Sequence, residues 1–295
     1  MSFAPIALFV YNRPWHTRQT VSALMANHGA SESALFVFSD GPATSEAEAG
    51  VVEVRAYLRT ISGFKNTTVV ERPGNLGLAN SIIDGVSRIC DEFGKVVVVE
   101  DDLVTSPFFL QYLNDGLSAY RDEDRVISIH GYLPPIGGRT PETFFLSGAD
   151  CWGWATWKRG WDLFEPNGVA LLEKLAVHPN RRRFDYIGRY PNTRMLRQFV
   201  KGGNNSWAIR WHASAFVLNK LTLHPRRSLV RNIGMDGSGT HCSSHDDLST
   251  PVAISPIAVR AMPAIENRSM WNRFRMFYVI LLFRRFVRKS LRINM

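Results

Sequence analysis

Acid is absent from the end of the chain, cysteine is scarce throughout, and no apolar run is long enough to cross a bilayer. The 295 residues include three cysteines, Cys90, Cys151 and Cys242. They are odd in number and far apart, which argues against a disulfide framework and for a reducing compartment. No cationic stretch precedes the first apolar run, Phe3 to Tyr11, so that run reads as a strand and not as a signal peptide. The expected localisation is cytoplasmic. Two phosphate-binding signatures are missing as well. No G-x-G-x-x-G follows the first strand and no G-x-x-x-x-G-K-[ST] occurs, which disfavours a dinucleotide site or a P-loop.

Beyond Glu266 there is no acid, but there are eight bases: Arg268, Arg273, Arg275, Arg284, Arg285, Arg288, Lys289 and Arg292. The net charge is +9, so all but one of the excess positive charges lie there and the body is near neutral. A nucleic-acid partner would need basic residues on the folded domain, and none is expected. The bases alternate with Trp271, Phe274, Phe277, Tyr278 and Phe286. The longest apolar run in this region, Met276 to Phe283, falls well short of the roughly 20 residues that span a bilayer. Residues 267–295 are expected to form a basic amphipathic helix. Its expected partner is an anionic membrane surface, contacted through residues 268–295 as a peripheral attachment to the inner face of the cell membrane. Packing on the core or on a second subunit is the alternative.

The first 130 residues alternate strand and helix. Strands are expected at Ile6 to Tyr11, Leu35 to Phe38, Thr67 to Glu71 and Val96 to Val99. Helices are expected from Pro14 to about Asn27, from a Ser45-x-x-Glu48 capping box to before Gly63, and from Leu78 to Phe93 with Gly94 closing it. Strand starts about thirty residues apart mark successive βα units of a parallel sheet. The four valines 96–99 have no polar alternation, which implies burial on both faces. In such sheets ligands sit beyond the carboxyl ends of the strands. There the sequence places Asn12 and Arg13, then Asp40-Gly41-Pro42, then Arg72 and the turn containing Asn75, then Glu100-Asp101-Asp102.

Three consecutive acids leaving a buried strand raise one another's pKa unless a cation neutralises them. Mg²⁺ or Mn²⁺ is the natural counter-charge, with coordination positions left for phosphate oxygens. The alternative is a solvated turn capping a helix that begins near Pro107.

Val97-Val-Val-Glu-Asp-Asp-Leu103, followed by Ser106-Pro-Phe-Phe-x-x-Tyr112, resembles the strand and metal motif of GT-A glycosyltransferases. The resemblance is to the N-acetylglucosaminyltransferase type that initiates complex N-glycans and to its bacterial relatives. It takes in Tyr11-Asn-Arg13, Ser39-Asp40-Gly41 and Gly153-Trp-Ala-Thr-Trp-Lys-Arg-Gly-Trp161, and it returns near Asn232 to His241. It implies an α/β fold of GT-A type: a Rossmann-like, mostly parallel sheet flanked by helices, with an α+β acceptor-side half. Residues 1–130 would hold a nucleotide-sugar donor and residues 131–266 an acceptor. It further implies that Asp102 ligates the metal, Asp101 and Glu100 reach ribose and donor sugar, and Arg13 and Asp40 contact the nucleobase. A UDP-sugar and an inverting outcome are favoured by the same resemblance.

Six tryptophans lie between 152 and 211, and most are expected to be core. Trp152 and Trp154 are the candidates for a sugar pocket. An inverting transferase needs a carboxylate base, and here the sequence departs from the family. The similar enzymes carry an acid within Trp-Asp-Asp-Trp, whereas Asn204-Asn-Ser-Trp-Ala-Ile-Arg-Trp211 has none. Asp150 and Asp236 are the remaining candidates. Asp236 lies in the glycine-rich stretch Asn232 to His241, which reads as a closing loop with His241 as a donor contact. The His241-Cys242-Ser-Ser-His245 stretch lacks a second ligand pair for structural zinc. The expected function is transfer of a sugar to a glycan or lipid-linked glycan acceptor. The competing functions are a nucleotidyltransferase acting on sugar phosphates and a non-catalytic sugar- or membrane-binding relative.

Overall fold

The computed structural model describes residues 3–237 and 246–293. The first part runs β1 (Ile6–Val10), α1 (Pro14–Met25), β2 (Ala34–Ser39), α2 (Ser45–Leu58), β3 (Asn66–Glu71), α3 (Leu78–Phe93), β4 (Lys95–Glu100), β5 (Leu103–Thr105), α4 (Phe109–Ala119) and β6 (Val126–His130). It continues with β7 (Thr143–Ser147), β8 (Trp154–Trp157), α5 (Lys158–Trp161), α6 (Gly168–Val177), α7 (Arg181–Phe184), α8 (Asn192–Val200) and α9 (Trp207–Val217). Two strands, β9 (Leu221–Pro225) and β10 (Val230–Asn232), and the long α10 (Arg268–Ile293) complete it.

One eight-stranded sheet crosses the molecule in the order β3-β2-β1-β4-β8-β6-β9-β7. The pairs β3–β2, β2–β1 and β1–β4 are parallel. Strand β8 enters antiparallel between β4 and β6, β9 is parallel to β6, and β7 is antiparallel to β9. Only β8 and β7 therefore oppose the common direction. This is the mostly parallel α/β sheet flanked by helices that the sequence led us to expect. The sheet takes strands from both residues 1–130 and residues 131–266, so no sheet boundary separates them.

Burial explains the run of valines. Val97 and Val99 join Ile6, Leu8 and Val10 on one face, under α1, α2 and α4. Val96 and Val98 join Ala7 and Phe9 on the other face, under α3 and α9. Each such side chain contributes about 1.5–3 kcal/mol relative to exposure, so a polar residue on either face would be costly. Helix α3 ends at Gly94, whose φ of 74° is the left-handed conformation that glycine adopts without strain. The capping box expected from Ser45 to Glu48 does not form, because the helix starts one residue earlier and places Ala47 at the third position. Thr44 is the N-cap and makes no side-chain cap bond, while the Thr44 hydroxyl instead holds the Glu46 carboxyl below its ordinary range.

Candidate active site

The ends of the four parallel strands meet through their loops. The Asp40 N–H donates to the Val10 carbonyl at 3.1 Å, which joins the β2 end to the β1 end. The Ala43 N–H donates to the Tyr11 hydroxyl at 2.9 Å. The buried Asp40 carboxylate accepts N–H groups from Gly41, Leu76 and Gly77, the last two at 2.9 Å. Asn75 adds a bond from its amide to the Gly41 carbonyl at 2.8 Å. Asp40 thus clasps the turn after β3 onto the turn after β2. The approach is close enough that a Cβ on Gly41 would lie 2.7 Å from the Gly74 backbone.

The acid triplet lies at the end of β4, with Glu100 the last residue of the strand and β1 between it and β2. Asp101 and Asp102 are buried, 5% and 8% exposed. The Arg13 guanidinium pairs with Asp101 and donates to Asp102 Oδ2 at 2.9 Å. The Thr20 hydroxyl donates to the Asp101 carbonyl at 2.8 Å. Burial, reinforced by Asp102 and Asp101, pushes the Glu100 carboxyl up to about 8, against the pull of Arg13. Asp101 is also raised, first by burial and then by Asp102, with Arg13 opposing. Burial works against the charge of Arg13, yet the two aspartates raise its pKa.

Strand β10 roofs this cluster by pairing antiparallel with β5. The Ile233 N–H donates to the Asp102 carbonyl at 2.8 Å. Gly234 follows, and a Cβ there would fall 2.2 Å from Asp102 Oδ2 and 2.8 Å from an Arg13 nitrogen. Two residues later Asp236 Oδ2 lies 3.1 Å from His16 Nε2 on α1. Asp236 is therefore on the side of the acid triplet, two residues beyond the Gly234 that covers Asp102. His241 lies outside the described residues.

Even with the raised Glu100 carboxyl neutral, Asp101 and Asp102 against one guanidinium leave negative charge in excess, and the donors are hard oxygens. That set fits Mg²⁺ or Mn²⁺ and not a softer ion. Among the described residues no group of three or more ligating side chains could hold a metal by itself. An ion here would rest on one or two carboxylates and complete its shell with diphosphate oxygens and water, as Mg²⁺ commonly does.

Asp150 lies in the segment between β7 and β8. Its Oδ1 accepts the Cys151 N–H at 2.8 Å, and its Oδ2 lies 3.9 Å from His130 Nδ1. Its charge acts on Tyr132, Tyr186 and Tyr278 as well as on His130 and His212. The half-buried Cys151 thiol is raised first by burial and then by the charges of Asp150, Glu100 and Asp102. Trp152 is half-buried and edge-on to Tyr132 at 4.6 Å, so it can still face a ligand.

Trp154 corrects the expectation placed on it. It is 0% exposed and packed 5.6 Å from both Trp207 and Trp211, so no sugar can reach it. Trp154, the first residue of β8, points into the core with Trp161, whereas Trp152 precedes the strand and Gly153, at a φ of 64°, breaks the alternation that would put both rings on one face. Five of the six clustered tryptophans are buried, more than expected.

Several site residues escaped the sequence reading. His16, Thr17 and Thr20 follow Arg13 at helical spacing, and that polar face of α1 is the signal that could have found them. Gly234 and the tyrosines around Asp150 carry no comparable pattern.

No protein-family model and no curated protein matches the chain. Solved structures resemble parts of it. TarS of S. aureus is 13% identical, over 60% of this chain and 30% of that one, with a TM-score of 0.37. The mannosyltransferase PcManGT from Pyrobaculum calidifontis, in complex with GDP-Man and Mn²⁺, is 14% identical, over 72% and 69%, with a TM-score of 0.40. Glucosyl-3-phosphoglycerate synthase from Mycobacterium tuberculosis, in complex with Mn²⁺, UDP-glucose and phosphoglyceric acid, is 13% identical, over 55% and 58%, with a TM-score of 0.32. The chain therefore spans under a third of the first of these proteins and over half of the other two. These likenesses are remote, and the roles given to side chains rest on the geometry above.

Proposed function

We propose that the protein is a metal-dependent glycosyltransferase that moves a sugar from a nucleotide-sugar donor, a UDP-sugar by preference, to a glycan or lipid-linked glycan. One observation carries the reading. Three carboxylates stand at the end of the buried strand β4, under a roof, with one arginine as their only close cation among the described residues.

In this reading Asp102 is the metal contact, with Asp101 and Glu100 toward the ribose and donor sugar. A divalent ion bound there would stabilise the charge that develops on the leaving diphosphate. Arg13, released from the aspartates by that charge, is free to turn to the donor. Asp40 holds the base-side turn in place. The segment from Asn232 to Asp236 covers the donor and excludes water.

Asp150 is the better of the two base candidates. Its charge acts on Tyr132, which is edge-on to Trp152 in an aromatic pair suited to a sugar ring, while Asp236 is engaged with His16. Asp150 would take the proton of the acceptor hydroxyl as that oxygen bonds to the sugar carbon. The bond from that carbon to the diphosphate breaks on the opposite side, so configuration inverts. The basic C-terminal helix would keep the enzyme at an anionic membrane surface. No helix among the described residues is long and apolar enough to cross a membrane.

A thermal-shift screen with UDP-, GDP-, dTDP- and CMP-sugars, with and without Mn²⁺, tests the reading. Stabilisation by one nucleotide class, enhanced by Mn²⁺, is expected. No shift with any of the four would overturn it.

A further inference from the structure

Helix α10 is apolar on two opposite sides. On its inner side Met270, Trp271 and Phe274 are buried against Leu133, Phe144, Leu146 and Tyr186, and Leu281 is buried further along the same side. Trp271 stacks on Tyr186 at 5.7 Å, and Tyr278 lies 4.9 Å from Tyr186 and 4.4 Å from Tyr190. The start of the helix is fixed by the Asn267 N–H donating to the Phe145 carbonyl at 2.9 Å and by Arg183 over the Trp271 ring. These contacts meet the alternative raised from the sequence, core packing, on one side of the helix only.

The outer side carries Met276, Ile280, Phe283 and Val287, which are 51%, 47%, 66% and 36% exposed. Their spacing of four, three and four residues forms one stripe along a helix, half a turn from the buried side. A groove of about 330 Å³ runs beside the stripe, between Pro135–Gly137 and the helix, with Ile136, Met276, Phe277 and Ile280 in its walls. Arg273 ties the groove's far wall to the helix by donating to the Arg139 carbonyl at 2.7 Å.

We propose that this stripe and groove form a lipid-contact surface, seated in the interface of an anionic bilayer. Charge selects that occupant. The exposed Arg268 and Arg284 lie on the same helix, and no acid follows Glu266. A second copy of the chain would bring eight bases against eight with no acid between them, whereas anionic headgroups neutralise them. An apolar stripe with basic flanks is the composition of a helix lying in the headgroup and acyl boundary, where the groove can take part of an acyl chain.

The placement also deepens the proposed function, on which this part rests. The inner side of the same helix carries Tyr278, which feels the charge of Asp150. Docking through the outer stripe would therefore bring the acceptor half to the membrane plane, as a lipid-borne acceptor requires.

The test is sedimentation of the full chain with phosphatidylcholine vesicles, with and without phosphatidylglycerol. The variants are the double substitution Ile280→Asp with Phe283→Asp and the milder Met276→Ser. Wild type should sediment with the anionic vesicles. The double variant should bind them at least about tenfold less and Met276→Ser less than wild type, with circular dichroism and nucleotide-induced thermal shifts unchanged. If the double variant sediments like wild type, the stripe does not contact lipid and charge alone holds the protein to the membrane. If wild type ignores both vesicle types, membrane docking fails, while the nucleotide screen still decides the glycosyltransferase reading separately. A dimer in light scattering that the double variant dissociates would show a second copy on the stripe and overturn the proposal.

Discussion

The two ends of the sheet bury their strands with different chemistries. In β2, β1 and β4 the buried positions are almost all apolar, and the charged groups Arg13, Asp40, Asp101 and Asp102 lie beyond the strand ends. In β8, β6 and β9 polar groups are buried within the strands themselves: Ser128, His130, Thr156, Thr222 and His224. Thr156 and Thr222 satisfy their hydroxyls by donating to the Ile127 and Gly148 carbonyls, both at 2.7 Å. Charge beyond the parallel strands can respond to a ligand, because it is held by loops and balanced by one arginine. Polarity at the other end is built into the sheet, where burial holds His130 and His224 below the ordinary histidine range.

The strongest way to break this contrast is to move the base to the other end. Asp150→Asn should lower turnover by about 10²–10⁴ while leaving nucleotide affinity unchanged, and Asp236→Asn should cost far less. Steady-state kinetics with calorimetric binding would separate them, and the reverse order would place the base on the donor side. Next in size is Gly234→Ala. Its Cβ would collide with the Asp102 carboxylate, so kcat/KM should fall by up to about a hundredfold, with little change in unfolding midpoint.

A smaller effect, on stability, tests the acceptor-side core. Trp154→Phe should cost about 1–3 kcal/mol in urea unfolding and leave the donor KM unchanged, because the indole is core and not pocket. A raised KM would restore Trp154 to the site. The smallest effect concerns pH. His130, His212 and His224 are all lowered from 6.5, first by burial. Each binds fewer protons folded than unfolded, so stability should be complete above pH 6.5 and fall as pH drops below it. His224→Phe, placed between Phe144 and Phe274, should flatten that loss in a series of melting curves.

The same contrast explains what was legible in the sequence. The βα units were readable because each strand is a compact apolar run followed by a helix with its own stop signal. Leu78–Phe93 and Gly94 came out residue for residue. The strand-end rule then brought Arg13 and the acids to one edge, and they are in contact. The second half resisted reading because its pairings join distant segments, as Thr143–Ser147 joins Leu221–Pro225. Its strands alternate aromatic, hydroxyl and histidine residues without a clean period. Trp152 and Trp154 are two residues apart in sequence, yet only the structure shows that one is half-buried and the other enclosed by tryptophan.

The central claim is that Asp102 carries a divalent cation that the nucleotide completes. Calorimetric titration of the nucleoside diphosphate of the preferred donor into wild type and Asp102→Asn, with and without Mn²⁺, tests it most directly. Mn²⁺ should tighten binding to wild type by at least about tenfold, the effect of one good charge contact, and should leave the variant's binding unchanged. Equal tightening in both proteins, or none in wild type, would contradict it.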